Sequence, residues 1–302
     1  MGNAVAPKSK GSTGTAVGLV LGGVFSLQFG AAFAALLFPR VGALGAVTLR
    51  LVIAAVLLLV VVRPRLRGHS RTDLAVVVGF GLILAVMNGC FYLALERLPL
   101  GVAVTFEFLG PLGLALVMSR RLLDLLWVGF AAGGVVLLGG GAPDGLDWVG
   151  VAFALAAATC WAMYILLSAE TGRRFPRTDG LALAMGIGAL AILPFGVVTA
   201  GSSMVEPVIL GLGALVALMS SVVPYTLELL ALRRIKPATF GILLSLEPAI
   251  AALAGAIVLT QWLSGWQLLA IGLVVVASAG ATAQARKDAT EPPEVAANKY
   301  LG

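Results

Sequence analysis

Residues 93–116, LALERLPLGVAVTFEFLGPLGLAL, lie without a gap over residues 230–253, LALRRIKPATFGILLSLEPAIAAL. Leu93, Ala94, Leu95, Arg97, Leu109, Pro111, Ala115 and Leu116 recur as Leu230, Ala231, Leu232, Arg234, Leu246, Pro248, Ala252 and Leu253. Farther on the register drifts by two residues, and Trp127, Ala131 and Gly133 recur as Trp266, Ala270 and Gly272. One segment is written twice, so the chain reads as two related halves.

Composition says what solvent those halves need. The chain has 302 residues, 60% of them hydrophobic and 11% charged, with a mean hydropathy of +1.05. A soluble fold of this size has too little interior for so much apolar surface. A bilayer removes the difficulty, because a span asks for about 20 apolar residues. Ten runs qualify, near 16–38, 41–62, 73–95, 99–119, 122–141, 146–168, 179–199, 206–232, 237–260 and 263–284. Run length excludes a barrel, whose strands alternate in polarity over about ten residues. The expectation is an all-α membrane protein with ten transmembrane helices.

The net charge of +6 could point to nucleic acid, but its placement points elsewhere. With the N-terminus inside, the cytoplasmic segments carry Lys8, Lys10, Arg63, Arg65, Arg67, Arg71, Arg120, Arg121, Arg173, Arg174, Arg177, Arg233, Arg234, Lys236, Arg286, Lys287 and Lys299. The outer loops carry only Arg40 and Arg97. This bias is what the positive-inside rule describes. The basic charge therefore orients the chain in lipid and implies no nucleic acid, with both termini cytoplasmic. The loop at Glu96-Arg97 then lies outside and its copy at Arg233-Arg234-Lys236 inside, so the two five-helix repeats are inverted. Inverted halves in an apolar chain are the mark of a secondary transporter.

Residues 1–14 are polar and small and are expected to be disordered. The first repeat occupies 15–141. Gly139-Gly140-Gly141-Ala142-Pro143-Asp144-Gly145 is a turn-forming linker. The second repeat occupies 146–284, and 285–302 read as a disordered cytoplasmic tail. The first run follows lysines and leads into Ala-Phe-Ala at 32–34, which could be a cleaved signal peptide. A repeat of five plus five helices requires that run instead. Gly18-x-x-x-Gly22 and Gly129-x-x-x-Gly133 let helices approach closely; they read as internal packing, with a homodimer contact as the alternative.

Cys90 and Cys160 are the only cysteines and His69 the only histidine. They offer no disulfide framework or metal spacing, and His69 reads as a solvated bystander. No phosphate loop and no Ser/His/Asp arrangement appears, so neither an enzyme nor a cofactor is expected.

Charges inside spans are costly, about 2.5–3.5 kcal/mol each at a helix centre on insertion scales. Arg50, Glu107 and Glu247 lie there. Glu107 sits about 12 Å below the outer end of the fourth span, with Pro111 one turn later. Glu247 directly precedes Pro248. In the repeat frame the two acids fall three residues apart, one turn along the same helix face. They read as substrate-ammonium or proton-coupling groups, against the plainer reading of structural acids satisfied by neighbours. Arg50, at similar depth, could clamp a substrate carboxylate or pair with Glu107. Asn88, Tyr92, Tyr225, Trp161, Tyr164 and Gln28 could line a polar cavity, and Asn88 aligns with Tyr225 across the repeat. Glu228 reads as an interfacial acid or a local partner of Arg233. Trp127, Trp148, Trp262 and Trp266 read as interfacial belt residues.

Five stretches carry a resemblance: FPRVGALGAVTLRL (38–51), MNGCFYLALERLPLGVAVTFEFLGP (87–111), CWAMYIL (160–166), VPYTLELLALRRI (223–235) and FGILLSLEPAIAAL (240–253). On these the chain resembles the drug/metabolite transporter superfamily with EamA-type repeats, and within it the bacterial threonine/homoserine exporters. The resemblance implies ten helices, cytoplasmic termini, a cavity between the repeats and export of small amino acids. The chain departs from the pattern at Leu259-Thr260-Gln261-Trp262, where Gln261 stands in place of a common acid. That acid would either cap the tenth helix or gate the outer mouth.

The expectation is thus an inner-membrane amino-acid exporter working by alternating access as a proton antiporter, with amino acids, protons and membrane lipid as its partners. The alternative is efflux of another small metabolite or a cationic drug. A membrane scaffold with a vestigial cavity is the reading from another class, and it would tolerate neutralisation of all three buried charges.

Overall fold

The computed structural model describes residues 10–65, 68–118, 124–140, 146–176, 178–232, 234–235 and 237–288. Among the described residues every regular element is helical and there is no strand. The chain runs through α1 (Lys10–Ala35), α2 (Phe38–Val62), α3 (Arg71–Leu95), α4 (Leu100–Met118), α5 (Asp124–Gly140), α6 (Trp148–Arg174) and α7 (Asp179–Ala200). A 3-10 turn at Gly201–Val205 leads into α8 (Pro207–Ala217), which continues through a π turn at Leu218–Val222 into α9 (Val223–Leu232). The ninth span is made of α10 (Pro237–Leu244) and α11 (Glu247–Leu259), and α12 (Gly265–Asp288) follows.

Nine of these helices, single or joined, are long and apolar enough to cross a bilayer among the described residues. The fifth, α5, has 17 residues with its apolar part at Leu126–Leu138. At about 1.5 Å per residue it measures about 25 Å, a little under the hydrocarbon thickness of about 30 Å. Residues 119–123 and 141–145 on its two sides lie outside the described residues, and so do Lys8, Arg67, Arg120, Arg121, Arg177, Arg233, Lys236 and Lys299. The helix of α1 begins at Lys10, earlier than the expected start at 15, and α12 continues to Asp288, past the expected end at 284.

Local chemistry sets the helix ends. Ser70 opens α3 with a capping box: its Oγ accepts from the Asp73 amide at 3.1 Å, while Asp73 Oδ2 accepts from the Ser70 amide at 3.0 Å. Asp147 caps α6, accepting from the amides of Val149 and Gly150 at 2.9 and 3.0 Å. It also pairs with Arg97 at 3.2 Å, fastening the start of α6 to the turn between α3 and α4. At the opposite end Arg174 pairs with Asp73 at 3.0 Å, so both ends of the antiparallel α3–α6 pair are tied. In α2 the chain bends at Gly42, whose φ of +67° is open to glycine and strained for other residues.

The most extensive helix packing is between the two halves of the chain. α3 lies along α6 and α7, α2 along α7 and α8, and α4 along α6 and α11. α1 lies along α9 and α11, and α5 along α12. The interior of this bundle holds fully buried Tyr92, Phe80, Phe106 and Leu100.

The small-residue pairs play unequal parts. A Cβ at Gly22 would meet Leu227 of α9, and one at Gly133 would meet Leu273 of α12, but Gly18 and Gly129 have nothing within 4 Å. A tighter contact is at Gly110 of α4, whose missing Cβ leaves room for the Ala158 backbone of α6. Trp148, Trp262 and Trp266 are exposed, as a belt residue is. Trp127 departs from that expectation: half-buried, it stacks on Phe130 and fills the space left by Gly280 of α12. His69 is half-buried too, with its ring 4.4 Å from that of Phe175 and its Nε2 donating to the Arg65 carbonyl at 3.0 Å.

Candidate functional site: a charged cavity between the helices

A cavity of about 250 Å³ opens at mid-depth in the bundle. Seven spans line it. α1 gives Leu27, Gln28 and Ala31, α2 gives Arg50, and α3 gives Met87, Asn88 and Phe91. α4 gives Glu107, α6 gives Trp161 and Tyr164, the eighth span gives Ser220, Pro224 and Glu228, and the ninth gives Leu244 and Glu247. Of the residues singled out in the sequence, Gln28, Arg50, Asn88, Glu107, Trp161, Tyr164 and Glu247 thus meet around one space.

Two singled-out residues stand differently. Tyr92 is fully buried behind Arg50, with its hydroxyl 3.5 Å from Nη1 and its ring centroid 5.8 Å from the guanidinium carbon. It braces the arginine by a hydrogen bond and a cation–π contact. The side chain of Tyr225 lies outside the described residues.

Arg50 is 8% exposed and donates from Nη2 to the Ser220 carbonyl at 3.2 Å. That carbonyl is available for a local reason. Pro224 has no N–H to send back to residue 220, and the π turn displaces the ladder there. Ser26 of α1 fills a second gap in the same turn, donating to the Met219 carbonyl at 2.7 Å. Side chains from α1 and α2 thereby complete a backbone that the eighth span leaves incomplete, as irregular backbone at membrane depth requires.

The same device recurs around the cavity. Pro111 stands four residues after Glu107, Pro224 four after Ser220, and Pro248 four after Leu244. Each proline removes the donor that an α-helix would direct at a cavity-lining residue. The structural consequence differs between the two spans whose sequences align. α4 stays continuous through Pro111, whereas the ninth span breaks at Ser245-Leu246 and restarts with Glu247 as the first residue of α11. The expected placement of both acids on one uninterrupted helix face therefore does not hold for Glu247, which sits at a helix start. There the free N–H groups and the dipole favour a carboxylate.

The carboxylates have unequal surroundings. Glu247 is 5% exposed and accepts from Gln28 Nε2 at 3.4 Å. Among the described residues, Glu107 and Glu228 have neither a hydrogen-bond partner nor an ion-pair partner. Asn88 spends one amide N–H on the Leu84 carbonyl at 2.8 Å. Gln28 Oε1 and Ser220 Oγ are buried without a partner, and such groups call for a ligand or water. Trp161 meets Phe108 edge-on at 5.3 Å, and Tyr164 meets Phe80 at 5.1 Å, so packing holds both aromatic walls.

Glu228 is the cavity acid that sequence reasoning misplaced. Reading it as an interfacial group followed from its position one turn before Arg233. The signal was the spacing Ser220, Pro224, Glu228, which puts a hydroxyl, a proline and an acid on one helix face. Gln261, by contrast, lies far from the cavity. Its Oε1 accepts from the Leu100 amide at 2.9 Å, so it caps the start of α4 rather than of α12. Its own amide reaches back to the Gly255 carbonyl at 3.0 Å.

A cavity in which Arg50 meets Glu107 and Glu247 between aromatic walls can hold a small solute bearing an ammonium and a carboxylate. No group of three His, Cys, Asp or Glu among the described residues could hold a metal ion.

Comparison with known proteins agrees with this architecture. Residues 148–283 match the EamA-like transporter family. The chain is 42% identical over 269 residues to the threonine/homoserine exporter RhtA of Salmonella typhimurium (strain SL1344), covering 87% of this chain and 90% of that protein. It is 30% identical over 234 residues to the uncharacterized inner membrane transporter YedA of Escherichia coli (strain K12), covering 70% and 73%. A solved crystal structure superposes with a TM-score of 0.59 at 21% identity, covering 93% of this chain and 99% of that one. At that identity the likeness concerns the fold alone.

Proposed function

The chain belongs to the EamA-like transporter family, as a multi-pass inner-membrane transporter and not an enzyme, and from that premise we propose that it exports small amino acids of the threonine and homoserine kind. The observation that carries the proposal is the meeting of Arg50 with Glu107 and Glu247 around one cavity. An amino acid is a zwitterion. Its carboxylate suits the planar fork of Arg50, and its ammonium suits the acids. The relatives named as threonine/homoserine exporters support the substrate class.

Transport proceeds by alternating access between two inverted repeats, 15–141 and 146–284, with both termini cytoplasmic. The pattern of helix packing supports this. Exchanging the first five spans for the second five turns the α3–α6 contact into the contact of α1 with α8 and α9. The same exchange turns α4–α6 into α1 against α10 and α11, and it returns α2–α7, α5–α12 and α4–α11 to themselves. The family match over 148–283 coincides with the second repeat. Rocking one repeat against the other around a fixed site opens the cavity to each side in turn.

Protons drive the cycle. In the outward state, protonation of Glu107 or Glu247 removes the charge that holds the substrate ammonium and releases it. In the inward state, deprotonation restores that charge. The test uses purified protein in liposomes, following radiolabelled threonine and homoserine with and without an imposed pH gradient. Saturable, gradient-stimulated flux that Glu107→Gln abolishes is expected. Normal transport with unchanged pH dependence in both Glu107→Gln and Glu247→Gln sinks the coupling scheme.

A second reading, efflux of a cationic solute, draws on the aromatic walls of Trp161 and Tyr164 beside the acids. Arg50 separates the two readings. A cation without a carboxylate makes no bond to the guanidinium, so Arg50→Lys, which keeps a donor for the Ser220 carbonyl, would leave its flux intact while lowering amino-acid flux.

A further inference from the structure

Glu228 has no part in the scheme above, yet its carboxylate faces the same cavity. It lies four residues before the end of α9 at Leu232, on the span end that the positive charge places inside. Against it on α1 stands Gly23: a Cβ there would come within 3.7 Å of the Glu228 Cγ. Gly23 precedes Gln28 by five residues, about 7.5 Å along the helix axis. Glu228 therefore sits about one and a half turns of α1 below the Gln28–Glu247 contact, toward the cytoplasm. Ser220, whose buried Oγ has no partner, marks the upper end of the face that Pro224 and Glu228 continue. That face runs along the cavity wall from the level of Arg50 down to Glu228.

Charge balance says what this third acid is for. The cavity holds Glu107, Glu228 and Glu247 against Arg50. A bound zwitterion brings one positive and one negative group and leaves the excess of two negative charges unchanged. α1 contributes no titratable group to the wall, and neither does α10. Arg234, beyond the end of α9, turns its Nη1 to the Leu230 carbonyl at 2.8 Å. Carboxylates in excess of their counter-charges at membrane depth carry protons. The acid nearest a mouth is the one that exchanges its proton with that side.

Resting on the proton-coupled reading, we propose that Glu228 is the proton-exchange carboxylate of the cytoplasmic wall. In the inward state the Glu228 carboxylate takes the proton that leaves Glu107 or Glu247; its own O–H bond then breaks and the proton passes to water and the cytoplasm. The substrate ammonium then binds between Glu107 and Glu247, without contact to Glu228. Glu228 relays the proton to the cytoplasm; Glu107 and Glu247 hold the substrate once that proton has left them.

The full-length protein tests this in two ways. In liposomes, Glu228→Gln is expected to keep threonine counterflow within about twofold of wild type and to lose acceleration by a pH gradient. Glu228→Asp is expected to restore that acceleration. Independently of any substrate, infrared difference spectra between acid and alkaline pH should show a protonated-carboxyl C=O band that Glu228→Gln diminishes. Gradient stimulation equal to wild type in Glu228→Gln overturns the proposal. So does a folded variant that loses counterflow together with gradient response, because Glu228 would then hold substrate. If wild type moves neither threonine nor homoserine, the substrate reading fails and the infrared band alone decides: its loss in Glu228→Gln upholds the exchange role, and its persistence ends it.

Discussion

Gln28 of α1 donates its Nε2 hydrogen to Glu247 of α11 at 3.4 Å, joining the first span to the restart of the ninth across the cavity. The bond is long, and its oxygen counterpart Gln28 Oε1 has no partner. The contact thus orients the Glu247 carboxylate while leaving it free to take another donor.

Gln28→Leu keeps the bulk and removes the donor. A charged acceptor that loses a hydrogen bond costs about 1.5–3 kcal/mol, and the length of this bond puts it at or below the lower figure. Threonine binding to purified protein should weaken about fivefold to tenfold, read by isothermal titration. An unchanged dissociation constant would mean that Gln28 plays no part in presenting Glu247.

Arg50→Lys keeps the charge at the cavity wall but loses the fork that can hold a carboxylate through two parallel bonds. It should raise the KM for threonine about tenfold, a loss of ~1.4 kcal/mol. Threonine amide, which lacks the carboxylate, should compete equally well with wild type and with the lysine variant. Equal losses for both compounds would assign Arg50 to the fold, through the Ser220 carbonyl it bonds, and not to the substrate.

Run length and charge made the spans legible in the sequence, and the cost of intramembrane charge made Arg50, Glu107 and Glu247 legible as candidates. The direction in which each side chain faces was not. Most of these helices are apolar on every side, so the sequence has no polar face from which to read how a helix is turned. That is why Tyr92, expected in the cavity, proves to stand behind Arg50, and why Glu228 was assigned to the interface. The Ser220 carbonyl was invisible for another reason. It is a backbone group, and only the π turn and Pro224 together make it an acceptor. The break before Glu247 shows the same limit: Pro111 and Pro248 align in the repeat, yet only the second interrupts its span.

Asp147 gives a pH dependence outside the membrane. The amides of Gly150 and Val149 and the guanidinium of Arg97 hold its carboxyl below the usual carboxylate range. A folded-state value below the unfolded one of about 3.9 contributes stability above that pH and loses it as pH falls through the folded value. Asp147→Asn retains a capping oxygen but no charge. Its melting temperature should fall below that of wild type at pH 7, and the difference should shrink below about pH 4. A difference that stays constant across this range would show that the charge has no influence on folding.

Gln261 joins the loop after α11 to the start of α4 by a contact between the two halves of the chain. Its Oε1 takes the Leu100 amide at 2.9 Å, and its backbone amide is held by the Gly255 carbonyl at 3.0 Å, so the loop after α11 supplies the cap for α4. The first amides of α4 have no acceptor within their own helix. Gln261→Glu keeps an oxygen at that place and adds a negative charge at a helix N-terminus, worth about 0.3–1 kcal/mol in favour of the folded state. The variant should melt slightly higher than wild type at pH 7. The gain should disappear as pH falls below about 4.3, the ordinary glutamate value, because the protonated side chain carries no charge to the dipole. Gln261→Ala should melt lower than both at every pH, since it offers no acceptor at all. Gln261→Glu melting below wild type at pH 7 would mean that the loop, and not the cap, fixes this residue against α4.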